Sequence, residues 1–250
     1  MIRYLILGSG SKGNATLIYD EDTLFQIDMG LPKKTLLGGL SAIGREPSTL
    51  CACLFTHDHS DHVGTVCYLP ETTKLFAPKD TVMTRCFNEI TPLSPLDFGA
   101  FHITPFSVSH DANNPVGYLI ENRGERLVYV TDTGYLSEES LSLVKNADYY
   151  IFESNHDLSM LEKSHRPQSL KLRIHGDHGH LSNSESACYM AELLGEKTKE
   201  IVLAHLSEEC NTPEVALSCY QRIFAKREIL FDSQHIRCAK QYESVGGGSR

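Results

Sequence analysis

The sequence lacks the features that mark several common classes of protein. Its eight cysteines include no CxxC pair, and no apolar run approaches the roughly 20 residues that cross a bilayer. We therefore expect reduced thiols rather than a zinc finger or a disulfide framework, and a soluble protein with no membrane partner. The first residues carry no secretory signal pattern, which predicts a cytoplasmic protein.

An excess of positive charge is also missing. The 250 residues have a formal net charge of −9 and a pI of about 5.7, which argues against non-specific binding to nucleic acid. Histidine, in contrast, is abundant, with 12 in the chain. This number of histidines indicates metal or proton chemistry.

The pattern of apolar residues predicts an α/β protein. Strand-like runs and helical patterns form two comparable blocks, at about 1–110 and 115–240, with no linker between them. A helix is predicted between Pro32 and Gly44, a second near Asp80, and capped helices after Ser137, Ser182 and Thr212. We predict a single domain over 1–244, followed by a flexible tail or cloning remnant at 245–250.

A glycine-rich segment at 8–13 matches the GxGxxG pattern of dinucleotide-binding proteins. That pattern must open a helix, but residues 14–19 alternate like a strand, so no nicotinamide cofactor is expected. The glycines instead predict a tight loop against a site, where missing side chains let the backbone approach closely. Ser9, Ser11 and Asn14 of this loop are candidates for supporting the site or contacting substrate.

An HxHxDH run, from His57 to His62, follows the apolar strand at 50–55. Histidines two apart on a loop that leaves a strand can converge on one metal ion, here through His57 and His59. The next pair, Asp61 and His62, can turn toward a second ion.

Further candidate ligands stand at the ends of later strands. They are His110, Asp132 and His205. Together with the HxHxDH run they predict two divalent ions. One set is His57, His59 and His110, and the other is Asp61, His62 and His205, with Asp132 bridging both. Histidine and aspartate ligands suit zinc, manganese and iron alike.

This ordered series resembles the metallo-β-lactamase superfamily over nearly the whole chain, and more narrowly its YycJ/WalJ-type branch. The branch motifs correspond to residues 8–14, 153–157, 179–183 and 205–211. The resemblance implies an αβ/βα four-layer sandwich, with two central mixed sheets flanked by helices. It also implies nuclease activity, notably 5′-exonuclease activity on duplex DNA, and it puts Asp28 in the place of the family's first acidic motif, where it would orient a ligand.

Two adjacent metal ions that share a hydroxide make hydrolysis the expected reaction. An aspartate at 132 rather than cysteine disfavours β-lactam hydrolysis, and His59 rather than glutamate disfavours the diiron branch. We predict Asp61, Asp132 and His180 as catalytic residues, with His180 protonating the leaving oxygen. The residues predicted to line the pocket or bind a phosphate are Asn155, His156, Ser182 and Asn183.

The leading hypothesis is a two-metal phosphodiesterase that acts on nucleic acid. Carboxylic-ester or thioester hydrolysis of the glyoxalase or lactonase kind, a small cyclic phosphate substrate, and a non-catalytic metal-stabilised binding module stay open. The sequence also leaves open the metals, exo- versus endo-cleavage and the oligomeric state.

Overall fold

Two seven-stranded sheets form the centre of the molecule, in a computed structural model that describes residues 1–249. Six strands of the first sheet lie side by side in chain order: β1 (Arg3–Gly8), β2 (Ala15–Tyr19), β3 (Leu24–Ile27), β4 (Ala52–Leu54), β5 (Lys74–Pro78) and β6 (Asn88–Ile90). Neighbours are antiparallel from β1 to β3 and parallel from β3 to β6.

The second sheet also keeps its chain order in space. Its strands are β7 (Leu96–Phe98), β8 (Phe101–Ser107), β9 (Val116–Asn122), β10 (Glu125–Val130), β11 (Tyr149–Glu153), β12 (Glu200–Ala204) and β13 (Ile236–Cys238). Neighbours are antiparallel from β7 to β10 and parallel from β10 to β13. The carboxyl ends of β10, β11 and β12 therefore share one edge.

Seven helices accompany the sheets. They are α1 (Lys33–Ala42), α2 (Ser60–Val63), α3 (Glu138–Val144), α4 (Leu158–Lys163), α5 (Gln168–His175), α6 (Asn183–Leu193) and α7 (Pro213–Lys226). The predicted caps are confirmed: Ser137 and Thr212 accept from backbone N–H groups in the first turns of their helices, and Ser182 forms a capping box with Glu185. Within the described residues, no helix has the length and apolar character needed to span a membrane.

Successive side chains of each strand point to opposite faces of its sheet, and together they form three apolar layers. In β1, Tyr4 and Ile6 point into the core between the two sheets, whereas Leu5 and Leu7 pack on the other face beside α1. The outer face of the second sheet packs against α6 and α7 in the same way. The predicted four-layer αβ/βα sandwich is thus confirmed.

The boundary between the two halves differs from the prediction. Residues 101–107, which we placed in the first block, form β8 in the second sheet, where Phe101 pairs with Asn122 and Ser107 with Val116. The predicted helix near Asp80 is also wrong. Asp80 has φ +64° in a turn, and the Thr81 hydroxyl donates to the Pro78 carbonyl.

The prediction of a flexible tail from residue 245 is contradicted as well. Val245–Gly248 form β14, which pairs antiparallel with β1 and completes the first sheet. Strand β1 would otherwise expose unpaired backbone groups at a sheet edge. Glycine fits here because a Cβ at Gly247 would lie 2.3 Å from the Tyr4 hydroxyl.

Candidate metal centre

The predicted metal ligands converge at the edge where the carboxyl ends of the strands meet. The strands β4, β8, β10 and β12 are each followed within a few residues by one or more of these ligands. In chain order they are His57, His59, Asp61, His62, His110, Asp132 and His205. All of them except His59 and Asp61 are buried. Residues far apart in the chain therefore form one polar cluster.

The first group consists of His57, His59 and His110, whose nearest ring nitrogens lie within 4.8 Å of one another. The imidazoles pack edge to face, with the His57 and His59 ring centroids 4.6 Å apart. Burial and the neighbouring His62 keep the pKa of His57 well below its usual value. A neutral imidazole has the free lone pair that a metal ion requires.

The second group consists of Asp61, His62 and His205. The Asp61 Oδ2 atom lies 3.5 Å from His62 Nε2 and 3.9 Å from His205 Nε2. Both Asp61 and His62 belong to the first turn of α2, so the short helix delivers them together.

The Asp132 carboxylate lies between the two groups. Its Oδ2 atom is 3.2 Å from His62 Nε2, and its Oδ1 atom is 3.9 Å from His110 Nε2. Burial favours the neutral acid, but His205 and His62 outweigh it and hold the pKa of Asp132 well below the usual value. The carboxylate is thus ionised and faces both groups.

Four of the five histidines share one arrangement. In each, Nδ1 lies 2.8–3.0 Å from an oxygen atom: Thr56 Oγ1 for His57, Asp28 Oδ2 for His62, Gly179 O for His110 and Glu153 Oε1 for His205. Occupation of Nδ1 fixes the ring and leaves Nε2 as the ligand atom.

The cluster fits divalent metal ions. Three of its buried atoms have no hydrogen-bond partner, namely His57 Nε2, His205 Nε2 and Asp132 Oδ2. Such atoms are costly to bury unless a partner satisfies them. Imidazole nitrogens and carboxylate oxygens are the donor set of zinc, manganese and iron sites.

The backbone is strained at three of these strand ends. Asp28, Asp132 and His205 have φ values of +59°, +51° and +54°, in the left-handed region that non-glycine residues seldom adopt. Each follows a strand within two residues, and its side chain belongs to the cluster or, for Asp28, contacts a histidine of the cluster. Strain of this kind concentrates at functional sites.

The glycine-rich loop supports the second group, as its sequence predicts. The Asn14 amide lies 3.0 Å from His62 Nε2, and the Ser9 hydroxyl accepts from the His205 backbone N–H at 2.9 Å. A Cβ at Gly13, whose φ is +146°, would lie 2.5 Å from the Gly30 carbonyl. Only glycine allows this approach.

Asp28 lies where the prediction placed it, under the cluster. Its carboxylate is fully buried, accepts from the Thr56 backbone N–H at 2.9 Å, and lies 2.8 Å from His62 Nδ1. It orients His62 and does not face the cavity.

Glu153 is a site residue that sequence reasoning missed. Its Oε1 atom lies 2.8 Å from His180 Nδ1 and 3.0 Å from His205 Nδ1, while Oε2 accepts from the backbone N–H groups of Thr133 and Leu181. Burial opposes ionisation, yet His180 and these hydrogen bonds lower the pKa of Glu153 to about 2. A signal was present, because Glu153 ends an apolar strand just as Asp132 and His205 follow theirs.

A cavity of about 260 Å³ opens over the cluster. His180 and Ser11 line it, beside the candidate ligands Asp61, Asp132 and His205. Two arginines that the sequence analysis did not single out, Arg166 and Arg173, also line it.

Four predicted pocket residues do not line this cavity. The Ser182 hydroxyl caps α6, Asn183 bonds to Ser154 and Asn211, and the Asn155 amide donates to the His205 carbonyl. His156 is fully buried, and burial lowers its pKa to about 4. The prediction that these four line the pocket is therefore wrong for this cavity. The side chains of Ser182, Asn183 and Asn155 bond within the loops behind the site, whereas both ring nitrogens of His156 are buried without a hydrogen-bond partner.

Comparison with known proteins agrees with this geometry. The family model of the beta-lactamase superfamily domain matches residues 32–206. The exodeoxyribonuclease WalJ of Streptococcus pneumoniae (serotype 2, strain D39) is 36% identical over 231 residues, which are 86% of this chain and 85% of that protein. The exodeoxyribonuclease YycJ of Bacillus anthracis is 30% identical over 238 residues, or 90% of each chain.

A solved structure shares the whole fold at low sequence identity. The metallo-beta-lactamase fold protein YhfI from Bacillus subtilis superposes with a TM-score of 0.74 at 17% identity, covering 99% of this chain and all of that one. The profile match and the two relatives extend over most of the sequence. The chain therefore belongs to the beta-lactamase superfamily, in its YycJ/WalJ-type branch.

Proposed function

We propose that this protein is a two-metal phosphodiesterase that acts on DNA as a 5′-exonuclease. His57, His59 and His110 hold one ion, Asp61, His62 and His205 hold the other, and Asp132 contacts both. The observation that carries the proposal is the Asp132 carboxylate between two separate sets of ligand atoms. The named activity of the two similar exodeoxyribonucleases supports the choice of DNA.

The chemistry follows from the donor set. Two bound divalent ions lower the pKa of water and stabilise the charge that develops on a phosphodiester. Asp61 and Asp132 supply the anionic ligands, and the buried histidines keep their rings in fixed orientations through Nδ1. The folded protein therefore holds the ligand side chains in position before substrate binds, so that they need not be reoriented during the reaction.

His180 is placed to protonate the leaving 3′-oxygen. Its side chain is 20% exposed and lines the cavity, and its Nδ1 atom is held 2.8 Å from Glu153. Because Nδ1 contacts the carboxylate, Nε2 is the nitrogen that can transfer a proton.

The test uses metal-loaded protein with two substrates, 5′-phosphorylated duplex DNA and bis-p-nitrophenyl phosphate. We expect cleavage of both. Asp132→Asn should lower turnover at least about 10³-fold and reduce metal content, because the contact to both ions loses its charge. Asp58→Asn is the matched control, since Asp58 lies in the same loop but contacts Val82 and Asn113 instead of the cluster.

The proposal is refuted if the metal-loaded protein cleaves neither of the two phosphodiesters. Turnover of thioesters or lactones by the same preparation, without phosphodiester cleavage, would assign the protein to the ester hydrolases of the superfamily. Full metal content and full turnover in Asp132→Asn would show that Asp132 does not have the proposed role of contacting both ions.

A further inference from the structure

One segment beside the cavity has the opposite charge to the rest of the chain. Residues 158–178, which include α4 and α5, contain four cationic side chains and only two carboxylates, whereas the whole protein carries −9. The cations are Lys163, Arg166, Lys171 and Arg173. A local cationic surface is what an acidic protein needs to bind a polyanion.

Arg166 and Arg173 are the two of these cations that line the cavity over the metal ligands. Arg166 lies between α4 and α5, and Arg173 lies in the last turn of α5. Leu161 and Ile174 of the segment pack with Cys210 in a small buried apolar cluster. The two guanidinium groups are therefore presented from a packed support.

Each guanidinium now pairs with an acidic side chain. Arg173 donates through Nε to Asp111, and Arg166 donates through Nε to Glu209 at 2.9 Å. All four side chains are between a quarter and three fifths exposed, and ion pairs this exposed contribute little to stability. A phosphate can replace the carboxylates or add to them, since each guanidinium has further N–H donors.

We propose that Arg166 and Arg173 bind phosphate groups next to the scissile one, so that the site selects a polynucleotide with consecutive phosphates over an isolated phosphodiester. This inference rests on the proposed function. The planar guanidinium binds phosphate oxygens in pairs, which holds the neighbouring nucleotide in register while the metal ligands face the bond to be cut.

The first experiment compares a long with a short substrate. In Arg166→Ala and Arg173→Ala, KM for 5′-phosphorylated duplex DNA should rise about 10-fold, the effect of one charged hydrogen-bonded contact. Cleavage of bis-p-nitrophenyl phosphate, which has a single phosphate, should stay within about twofold of the unchanged protein. Lys163→Ala is the control for charge alone, because Lys163 belongs to the same segment but not to the cavity lining.

A second experiment identifies the contact on the DNA. A neutral methylphosphonate linkage next to the cleaved bond should raise KM of the unchanged protein about 10-fold. The same linkage should change KM little in the variant that lacks the arginine contacting it. With metal-loaded protein and a non-cleavable phosphorothioate duplex, log Kd against log salt concentration should become less steep by about one per arginine removed.

Removal of a competing carboxylate should act in the opposite direction. Glu209→Gln frees Arg166 from its ion pair and should lower KM for DNA about two- to threefold. Equal losses on DNA and bis-p-nitrophenyl phosphate in the arginine variants, or an effect of Lys163→Ala as large as theirs, would overturn the inference. Failure of the unchanged protein to cleave either substrate would instead overturn the proposed function.

Discussion

The charged side chains at the two ends of strands β10 and β12 differ in their hydrogen bonding. Strand β10 begins at Glu125 and leads to Asp132, and β12 begins at Glu200 and leads to His205. The starting and final residues of each pair are about 15–25 Å apart at roughly 3.3 Å per residue. At the carboxyl ends, buried ligand atoms have no hydrogen-bond partner. At the amino ends, the carboxylates are surrounded by donors.

The amino-terminal edge joins the two sheets. Glu125 accepts from the Ile2 backbone N–H at 2.8 Å, from the Tyr149 hydroxyl at 3.0 Å and from Lys199 at 3.1 Å. Glu200 accepts from Tyr4 in the first sheet and from Arg237. The contacts of Ile2 and Tyr4 connect the amino-terminal part of the chain to the second sheet, so this edge serves stability.

The difference shows how the molecule accommodates a costly site. Three unpaired buried atoms and three left-handed residues at the carboxyl-terminal edge all reduce the stability of the metal-free protein. The hydrogen bonds that Glu125 and Glu200 accept at the amino-terminal edge offset part of that cost. Substitutions at the two ends should therefore separate activity from stability, and those at the carboxyl end should have the larger effects.

The largest effect is expected for His180→Ala at the carboxyl-terminal edge. Cleavage of DNA, whose leaving 3′-oxygen needs a proton, should fall about 10²- to 10⁴-fold. Cleavage of bis-p-nitrophenyl phosphate should fall far less, because p-nitrophenolate leaves without protonation. Steady-state rates on both substrates, with metal content as a control, give the comparison.

His178→Ala is the matched control, since His178 lies two residues away, is exposed, and contacts the Ser109 hydroxyl. It should leave both rates nearly unchanged. Equal slowing of the two substrates by His180→Ala would mean that His180 is not the proton donor.

A smaller loss of activity is expected for Glu153→Gln. The amide removes the charge that faces His180 and His205, so metal affinity and kcat should each fall about 10- to 100-fold. Metal titration and steady-state rates at saturating metal measure the two effects separately. Unchanged metal affinity and unchanged kcat in Glu153→Gln would leave Glu153 with a purely structural role.

The convergence of the candidate metal ligands can be predicted from the sequence because their placement follows from local rules. His57 to His62 are contiguous, and His110, Asp132 and His205 follow strands whose carboxyl ends must meet. Arg166 and Arg173 reach the site only because α4 and α5 fold back over it, a tertiary packing that no local pattern encodes. The glycines of β14 carry no side-chain periodicity, which hid their pairing with β1.

Polar residues near the site were harder to assign. Ser182 and Asn183 have the composition expected of a phosphate-binding loop, and the same composition suits a helix cap. Because Glu185 completes the capping box, the Ser182 hydroxyl and backbone N–H are used internally. The competition between capping and ligand binding is decided by side-chain geometry rather than by residue type.

The smallest effect on catalysis, and the clearest effect on stability, is expected at the other end of β10. Partial burial opposes ionisation of Glu125, but hydrogen bonds from Ser249, Ile2 and Lys199 outweigh it and lower its pKa to about 2, from an unfolded value of about 4.5. Because the folded pKa is depressed, this stabilisation is complete above about pH 4.5 and is lost as the pH falls toward 2.

Glu125→Gln should therefore destabilise the protein by about 1–3 kcal/mol at pH 7 while kcat changes less than about twofold. Urea unfolding in a chelator, repeated from pH 7 to pH 3, should show the difference in unfolding free energy shrinking below about pH 4.5, because there the unfolded chain of the unchanged protein binds a proton at Glu125 that the folded protein does not. A difference that stays constant over this range would show that the charge contributes nothing. A large fall in kcat would show that the two ends of β10 are coupled, because a paired carboxylate roughly one strand length from the cavity can affect catalysis only through the strand that links it to Asp132.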